Sequence, residues 1–567
     1  MASDLGDRPF YKYYPPEVPR IIDVPAISVA EMFYRTADRY PDDKMAVFLD
    51  ATMTYGQVRR HVDGLATALH NLGLRKGDVV ALLLPNSFQY PICYYACLRL
   101  GLAVTAINPT YKALEIRHQL KDSAAKAIIA LDGVFVEAGK ILADTEVKHV
   151  IGTNIVDFVG LGPIKKFLGK LLRKIPTGKM PAGSLQLTDL CATAPALPTV
   201  EIDPAADVAV LQYTGGTTGT PKGAMLTHRN LVANAHQCDA WLWKGGYGYG
   251  IVGVLPFFHS YAMTTCLNVS VAIGGFMIMF PKPPDKMSEL YGAIQKWGAG
   301  TKLIFPGVAI LFNKINQDPE VKNFDLSPLE MAISGAGPLP QEIQLKFERI
   351  TGAKLVEGYG LTEASPVTHA NPLFGHRVIG TIGLPFPNTD CKIMDMDTGQ
   401  IELGLGPDNV GELCVKGPQV MKGYLNRPEE TKACLRDGWL YTGDIAYMDE
   451  DGYTHIMDRA KDMIKYKGWA VFPAEIEDYM HNHPAVSEVA IVGLPHPEAG
   501  EFIKAHVVLK PEYEGKITEE ELKKWCQENM SHYKVPQVIA FRKELPKTMV
   551  GKVLRRMLKE EDLRQRA

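Results

Sequence analysis

Apolar positions recur at helical spacing through residues 29–40 (VAEMFYRTADRY) and 53–74 (MTYGQVRRHVDGLATALHNLGL), and the second run feeds a short continuous apolar stretch, DVVALLLPNS. A helix-period stretch followed by a buried strand implies a parallel sheet with crossover helices. AKAIIAL around Ile128 and KHVIGT around Val150 repeat the strand pattern. Between Thr381 and Tyr424 the rhythm changes to short alternating strands and turn residues, which predicts a small antiparallel sheet or barrel. A second change comes near Arg459, after the turn-and-strand run DEDGYTHI. From Asp462 the pattern reads helix, strand, strand, helix, strand (AEIEDYMHNH, SEVAIVGLP, FIKAHVVLK, TEEELKKWCQENM, QVIAFRKEL), enough for a compact α+β domain. The expected architecture is α/β. A large N-terminal body of α/β subdomains with a small β-barrel-like subdomain spans residues 1–459, and a smaller mobile α+β domain, residues 460–567, hinges near Lys461.

Composition narrows the class. Of 567 residues, 46% are apolar and 22% charged, which excludes a disordered chain. With 61 basic and 64 acidic residues the net charge is -3, so no global field attracts a polyanion and nucleic acid is not an expected partner. Nine scattered cysteines argue against a disulfide framework and for a reducing compartment. Cys93 and Cys97, four apart in QYPICYYACLRLG, read as a buried helical face rather than a ligand pair. The first residues lack the pattern of a secretory signal, and the longest apolar stretch, Leu267 to Phe280, is shorter than the roughly 20 residues of a spanning helix. A cytoplasmic protein is expected. From Ile164 to Ile175 apolar residues share one helical face, lysines and Arg173 occupy the rest, and no acid occurs from Phe158 to Met180. Such a helix either lies peripherally on anionic lipid at the inner membrane surface or is an ordinary surface helix packed on the core. The oligomeric state is not readable, and a homodimer stays open.

Candidate chemistry concentrates in LQYTGGTTGTPKGAMLTH, Leu211 to His228. Gly215, Gly216 and Gly219 permit close backbone approach and an anion-binding nest, while Thr214, Thr217, Thr218 and Lys222 add hydroxyls and a point charge. A polyphosphate fits. This is not a Walker A loop, because Pro221 precedes Lys222 and Gly223 follows it. Gly248 to Gly253 matches GxGxxG, but it leads into a strand-like run instead of ending one, so it reads as a surface turn. His481 and His483 form an HxH followed by Pro484, with no carboxylate or cysteine partner evident, and read as helix-end surface histidines.

The polyphosphate run, with EGYGLTE (Glu357 to Glu363), GWLYTGD (Gly438 to Asp444), DRAKDMIKYKGW (Asp458 to Trp469) and LPKTMVGKVLRR (Leu545 to Arg556), resembles the AMP-forming acyl-CoA synthetases of the adenylate-forming superfamily. Order and spacing agree over nearly the whole chain, and GELCVKGPQVMKGY and DMIKYKGWAVFPAEIED read like the long-chain fatty acid CoA ligases. The resemblance implies ATP, Mg2+ and coenzyme A, and a carboxylic acid, most naturally a medium- to long-chain fatty acid, converted through acyl-AMP to a thioester with release of AMP and pyrophosphate. An aromatic or alicyclic acid is the alternative substrate, and a binding protein that has lost catalysis the alternative of another class. Lys552 matches the lysine swung onto the α-phosphate. Glu363 resembles the Mg2+ carboxylate, assisted by Thr218. Asp444 and Arg459 match the ribose contacts. Gly335, Ala336, Gly337, Gly358, Tyr359, Gly360 and Thr362 match the adenine side, although Tyr359 also reads as a core tyrosine. For the second step the resemblance implies rotation about Lys461, bringing Lys467, Gly468 and Trp469 to coenzyme A. His259 matches the histidine where acyl and pantetheine channels join, and equally suits a packed structural role. The acyl site is expected among Trp241, Trp243, His259, Phe305 and Gly307, either tryptophan being a candidate gate; these surroundings are apolar or small, as a monoacid requires.

Overall fold

Helix starts along the chain are fixed by local chemistry. Ser28 Oγ accepts the Glu31 N–H at 3.0 Å ahead of the helix Val29–Arg39. Reciprocal boxes between Thr54 and Gln57, Thr227 and Asn230, and Thr518 and Glu521 open the helices Tyr55–Asn71, His228–Trp241 and Glu519–Asn529. Each such cap is worth about 1 kcal/mol and sets where a helix begins relative to the preceding strand or loop. The computed structural model describes residues 8–162, 165, 169, 172, 175–214, 221–243, 246–459, 462–466, 469–496, 500–548 and 553–566. By its internal contacts the chain divides into two units, Met1–Asp390 with Val415–Leu440, and Cys391–Cys414 with Tyr441–Ala567.

The first unit carries two large sheets. One runs Leu384–Pro385, Val367–Ala370, Lys354–Gly360, Leu329–Ser334, Leu303–Gly307, Gly250–Gly253, Phe276–Met279, Lys44–Phe48, Ala51–Thr54. Its inner strands are parallel and antiparallel strands close both edges. Fully buried Phe305, Phe312, Phe347 and Leu355 belong to the core on one face. Burying each such side chain stabilises the fold by about 1.5–3 kcal/mol. The other sheet runs Gly423–Tyr424, Lys222–Thr227, Val208–Thr214, Ala103–Ala106, Val79–Leu83, Ala127–Leu131, His149–Thr153, Leu185–Gln186. The strands expected around Ile128 and Val150 are adjacent and parallel in it, Ile128 opposite Val150.

The short strands after Thr381 do not stay together. Leu384–Pro385 and Gly423–Tyr424 extend the two large sheets, while Asp390–Met394 and Gly411–Lys416 join a five-stranded sheet with Leu435–Arg436, Trp439–Met448 and Thr454–Arg459. Two-residue strands cannot bury a face of their own, so each pairs with whatever larger edge it meets. In the second unit, the helix Pro473–His481, strands Val486–His496 and Gly500–Leu509, helix Glu519–Asn529 and strand Val538–Phe541 follow in the expected order. Their core, from Ile464 to Ile539, is self-contained.

Cys93 and Cys97 lie, as free thiols, in the almost wholly buried helix Gln89–Arg99. The apolar stretch from Leu267 is broken by a turn with Gly274 at φ +60° and ends as the strand Phe276–Met279. Among the described residues no helix is long and apolar enough to cross a membrane. Gly248 sits in a turn at φ +83° before the strand Gly250–Gly253, as expected of a turn that opens a strand. Most of the stretch Ile164 to Ile175 lies outside the described residues.

Candidate active site

In the first unit Thr214, Gly335 and Gly358 to Gly360 lie at or just after the ends of strands that have parallel neighbours, the usual place for a ligand in an open α/β sheet. Strands Val208–Thr214 and Lys222–Thr227 pair antiparallel with Thr214 opposite Lys222, which brings the two ends of the glycine- and threonine-rich run together. Gly215, Gly216, Thr217, Thr218 and Gly219 lie outside the described residues. The Lys222 Nζ stands 5.3 Å above the ring of Tyr424 and 3.9 Å from a Glu430 oxygen. Tyr424 sits opposite Ala224 across the next ladder and donates its phenol to Glu363 Oε1 at 2.6 Å. Burial and the Glu363 carboxylate push that phenol far above its ordinary range, so it is a proton-holding donor. The Glu363 carbonyl accepts the Met421 N–H at 2.8 Å, which fixes the backbone from which its carboxylate projects.

Gly335, Ala336 and Gly337 follow the strand Leu329–Ser334, and the Gly335 N–H donates to Gly307 O at 3.1 Å. A Cβ on Gly335 would lie 2.9 Å from the Tyr261 ring, and one on Gly360 only 2.1 Å from Pro366 O. Both glycines are therefore demanded by packing, whatever their part in binding. Ala336 holds φ at +65°, left-handed backbone just after the strand Leu329–Ser334. Gly358 and Tyr359 occupy the strand Lys354–Gly360, and Tyr359 meets His369 edge-on at 6.0 Å. His369 is fully buried, bonds Thr368 Oγ1 through Nδ1 at 2.9 Å, and is pushed down to about 3 by burial. Thr362 Oγ1 shares a hydrogen bond with Ser260 Oγ at 3.2 Å.

His259 caps the turn that follows it, its Nδ1 accepting the Tyr261 N–H at 3.2 Å, which assigns the ring proton to Nε2. Gln212 Nε2 holds the neighbouring Phe258 carbonyl at 2.8 Å. Within the first unit an apolar cavity is lined by fourteen residues without one charge, Thr265, Ile304, Pro306 and Phe386 among them. Trp241 lines it, stacked on Phe386 at 4.9 Å with its indole N–H 3.3 Å from Asn371 O. Trp243 does not; it packs edge-on to Phe374 at 5.7 Å. Phe305 and Gly307 do not line it either. Alternation along the strand Leu303–Gly307 turns Ile304 and Pro306 to the cavity and Phe305 to the opposite core, where it meets Phe312 at 5.4 Å. Gly307 makes room for the Phe312 ring, 2.5 Å from where a Cβ would stand.

In the second unit Asp444 and Arg459 face each other across a ladder, with Arg459 Nε 3.1 Å from Asp444 Oδ1. Lys461, Lys467, Gly468 and Lys552 lie outside the described residues, and Trp469 begins the strand Trp469–Val471. The chain on either side of Lys552 is held. Lys547 bridges Val553, and the Leu554 N–H reaches Pro546 O at 2.8 Å. Arg555 then grips Glu477 with two bonds, at 3.1 and 2.5 Å, and lies 3.4 Å from both Asp458 and Asp462. Burial lifts the Asp458 carboxyl to about 6 against the pull of Arg555. Tyr424 and Arg555 were not singled out from the sequence. Each stood inside a quoted motif, but their partners are 61 and 78 or more positions away and no spacing rule connects them.

Residues 33–425 match the family model of the AMP-binding enzyme, and residues 475–552 that of the AMP-binding enzyme C-terminal domain. A long-chain-fatty-acid CoA ligase of Bacillus subtilis (strain 168) is 41% identical over 563 residues, covering 98% of each chain. One from Escherichia coli O157:H7 is 38% identical over 564 residues, covering 97% of each. The crystal structure of ATP bound MatB from Rhodopseudomonas palustris is similar at a TM-score of 0.81 with 29% identity, covering 94% of this chain and 99% of that one. With both family models matched in order and near-complete relatives at this identity, the chain belongs to the AMP-binding enzyme family.

Proposed function

We propose that this protein joins a medium- to long-chain fatty acid to coenzyme A in two steps. In the first, a carboxylate oxygen of the acid attacks the α-phosphorus of ATP, the bond to the β-phosphate breaks and pyrophosphate leaves. In the second, the thiol sulfur attacks the acyl carbon, the mixed anhydride breaks and AMP leaves. The uncharged cavity beside Trp241 carries the substrate reading, since an alkyl chain gains by leaving water there and a second carboxylate would find no counter-charge.

The residues divide the work. Lys222 and Lys552 supply cations where charge develops on phosphoryl oxygens, with Thr214, Thr217 and Thr218 as donors. Asp444 accepts from the ribose hydroxyls, Arg459 donates on the same side, and Tyr359 with the backbone of Gly335 to Gly337 receives adenine. His259 offers a donor proton at Nε2 where the acyl and thiol channels meet. Glu363 and Thr218 would hold Mg2+, and the donor set fits. Among the described residues no hydrogen bond is made to Glu363 Oε2, and a hard cation needs only one or two protein oxygens beside phosphates and water. Bound there, the ion supplies charge neutralisation. The mobile domain begins near residue 460 and turns about Lys461 so that Lys467, Gly468 and Trp469 replace Lys552; the C-terminal family match from residue 475 supports that division. Peripheral contact of Ile164 to Ile175 with anionic lipid belongs to the same reading, supported by its charge pattern.

AMP release with ATP and Mg2+, with and without coenzyme A, across linear acids of graded length plus benzoate and cyclohexanecarboxylate tests it. Thioester-dependent turnover is expected to peak at long linear acids. A peak at ring acids would move the substrate to the aromatic or alicyclic class, and no turnover would leave a binding protein.

A further inference from the structure

Tyr424 connects two groups that the resemblance assigns to the phosphates and that lie 141 positions apart, Lys222 and Glu363. Its ring lies beneath the Lys222 ammonium at 5.3 Å, and its phenol donates to Glu363 Oε1 at 2.6 Å. It is itself held from two sides. The Tyr424 N–H donates to Thr431 Oγ1 at 2.9 Å, and the backbone of Gly423 and Tyr424 pairs with Met225 and Ala224 in the strand that Lys222 opens.

We propose that Tyr424 is a positioning residue for the adenylation step: it locks the Glu363 carboxylate by one oxygen so that the other faces the metal–triphosphate, and it fixes the Lys222 ammonium beside it. The inference rests on the phosphate-side roles given to Glu363 and Lys222 above and adds a residue to them. The chemistry follows from the geometry. A carboxylate left to rotate presents either oxygen, or both, to a cation. One that receives a short hydrogen bond from a buried phenol presents a single oriented oxygen at no further entropic cost when the ion arrives. The phenol suits the task because its donor reaches Glu363 Oε1 at 2.6 Å from a backbone that the ladder to Ala224 and the Thr431 hydroxyl hold in place. The aromatic face meanwhile restrains a long flexible ammonium without consuming its donors, which a carboxylate partner would do. Glu430, 3.9 Å from Lys222 Nζ, is the more exposed partner, its side chain 41% accessible.

The test is Tyr424→Phe in the full-length protein, which removes one oxygen and keeps the ring, with Glu363→Gln in parallel. Three quantities are read: Mn2+ binding in the presence of a non-hydrolysable ATP analogue by electron paramagnetic resonance, pyrophosphate–ATP exchange with a fatty acid, and thioester formation from preformed acyl-AMP. Tyr424→Phe is expected to weaken Mn2+ binding by roughly 10- to 100-fold, the range for losing a partner of a ligating carboxylate. Exchange should fall by a similar factor, and its loss should exceed that of thioester formation at least tenfold, with the melting temperature nearly unchanged. Should Tyr424→Phe fail to fold, Tyr424→Leu is the second donor-free variant and is held to the same ratio of losses. Wild-type Mn2+ binding and exchange in Tyr424→Phe, while Glu363→Gln loses both, would overturn the positioning role and leave the reading of Glu363 standing. Equal losses in both half-reactions with normal Mn2+ binding would mark Tyr424 as a packing residue and overturn it too. Normal binding and exchange in Glu363→Gln would sink the reading of Glu363, and the role of Tyr424 with it.

Discussion

A fully buried imidazole beside the adenine side of the site gives the chain a particular response to acid. His369 has no described partner at Nε2, and burial pushes it down to about 3, whereas an unfolded histidine takes up a proton near 6.5. At pH 7 both states are neutral at this position, so the residue costs nothing there. As pH falls below about 6.5 the unfolded chain binds a proton that the folded chain refuses, and stability is lost down to the folded value, about 2 kcal/mol of it by pH 5. His228, depressed to about 4 by the same cause, adds in the same direction. His369→Gln keeps a polar side chain without the proton uptake. Melting temperatures at pH 7 and pH 5 should therefore differ less for this variant than for the wild type, and parallel slopes would remove His369 from the acid response. The sequence shows a histidine six residues after Glu363. It does not show that the position is sealed, because burial is a property of the strands on either side.

At the scale of elements, strand alternation divides the work of neighbouring residues in Leu303–Gly307. Ile304 and Pro306 face the apolar cavity and Phe305 faces the core. Ile304→Trp should fill part of the cavity and move the preferred acid to a shorter chain while leaving adenylation of short acids intact. Phe305→Ala should cost about 3–5 kcal/mol in denaturant unfolding and leave the chain-length optimum where it was. The reverse pattern, with Phe305→Ala resetting the optimum, would mean that the acyl chain lies on the other face of the sheet. This element also marks how far the sequence carries. The strands around Ile128 and Val150, and the helix, strand, strand, helix, strand order after Asp462, were legible because runs of apolar residues and caps such as Thr518 are local signals. Of the expected acyl residues Trp241 lines the apolar cavity, but the face of the buried strand Leu303–Gly307 was not legible. With all five of its positions apolar there is no alternation to read. Tyr424 was missed for a related reason. Its motif was visible, but the contact joins the edge strand Gly423–Tyr424 to the short 3-10 turn Thr362–Ala364, 61 positions earlier, which no local signal relates.

For the molecule as a whole, two of the hydrophobic cores among the described residues draw on separate stretches of chain. The core containing Phe305 and Phe347 draws only on residues from Val47 to Leu355, and the one containing Ile491 and Ile539 only on residues from Ile464 to Ile539. An apolar core of its own gives each unit a basis for its own cooperative unfolding. The second unit carries its own polar clamp in addition. Arg555 satisfies Glu477, whose Oε1 also receives the Ile491 N–H at 2.8 Å, and Arg555 reaches Asp458 and Asp462 on either side of the proposed hinge. Removing it leaves three carboxylates crowded without their cation, a change worth about 3–5 kcal/mol in buried networks, and toward the lower end here because the side chain keeps 23% exposure. Thermal unfolding followed by hydrogen exchange should accordingly resolve two transitions. ATP with a fatty acid should raise the first unit's transition, since a ligand stabilises the state that binds it. Arg555→Gln should lower the second unit's transition and leave the first within a degree or two. A single transition that shifts as one in both experiments would show that the units melt cooperatively. The Arg555 cluster would then act on the whole chain.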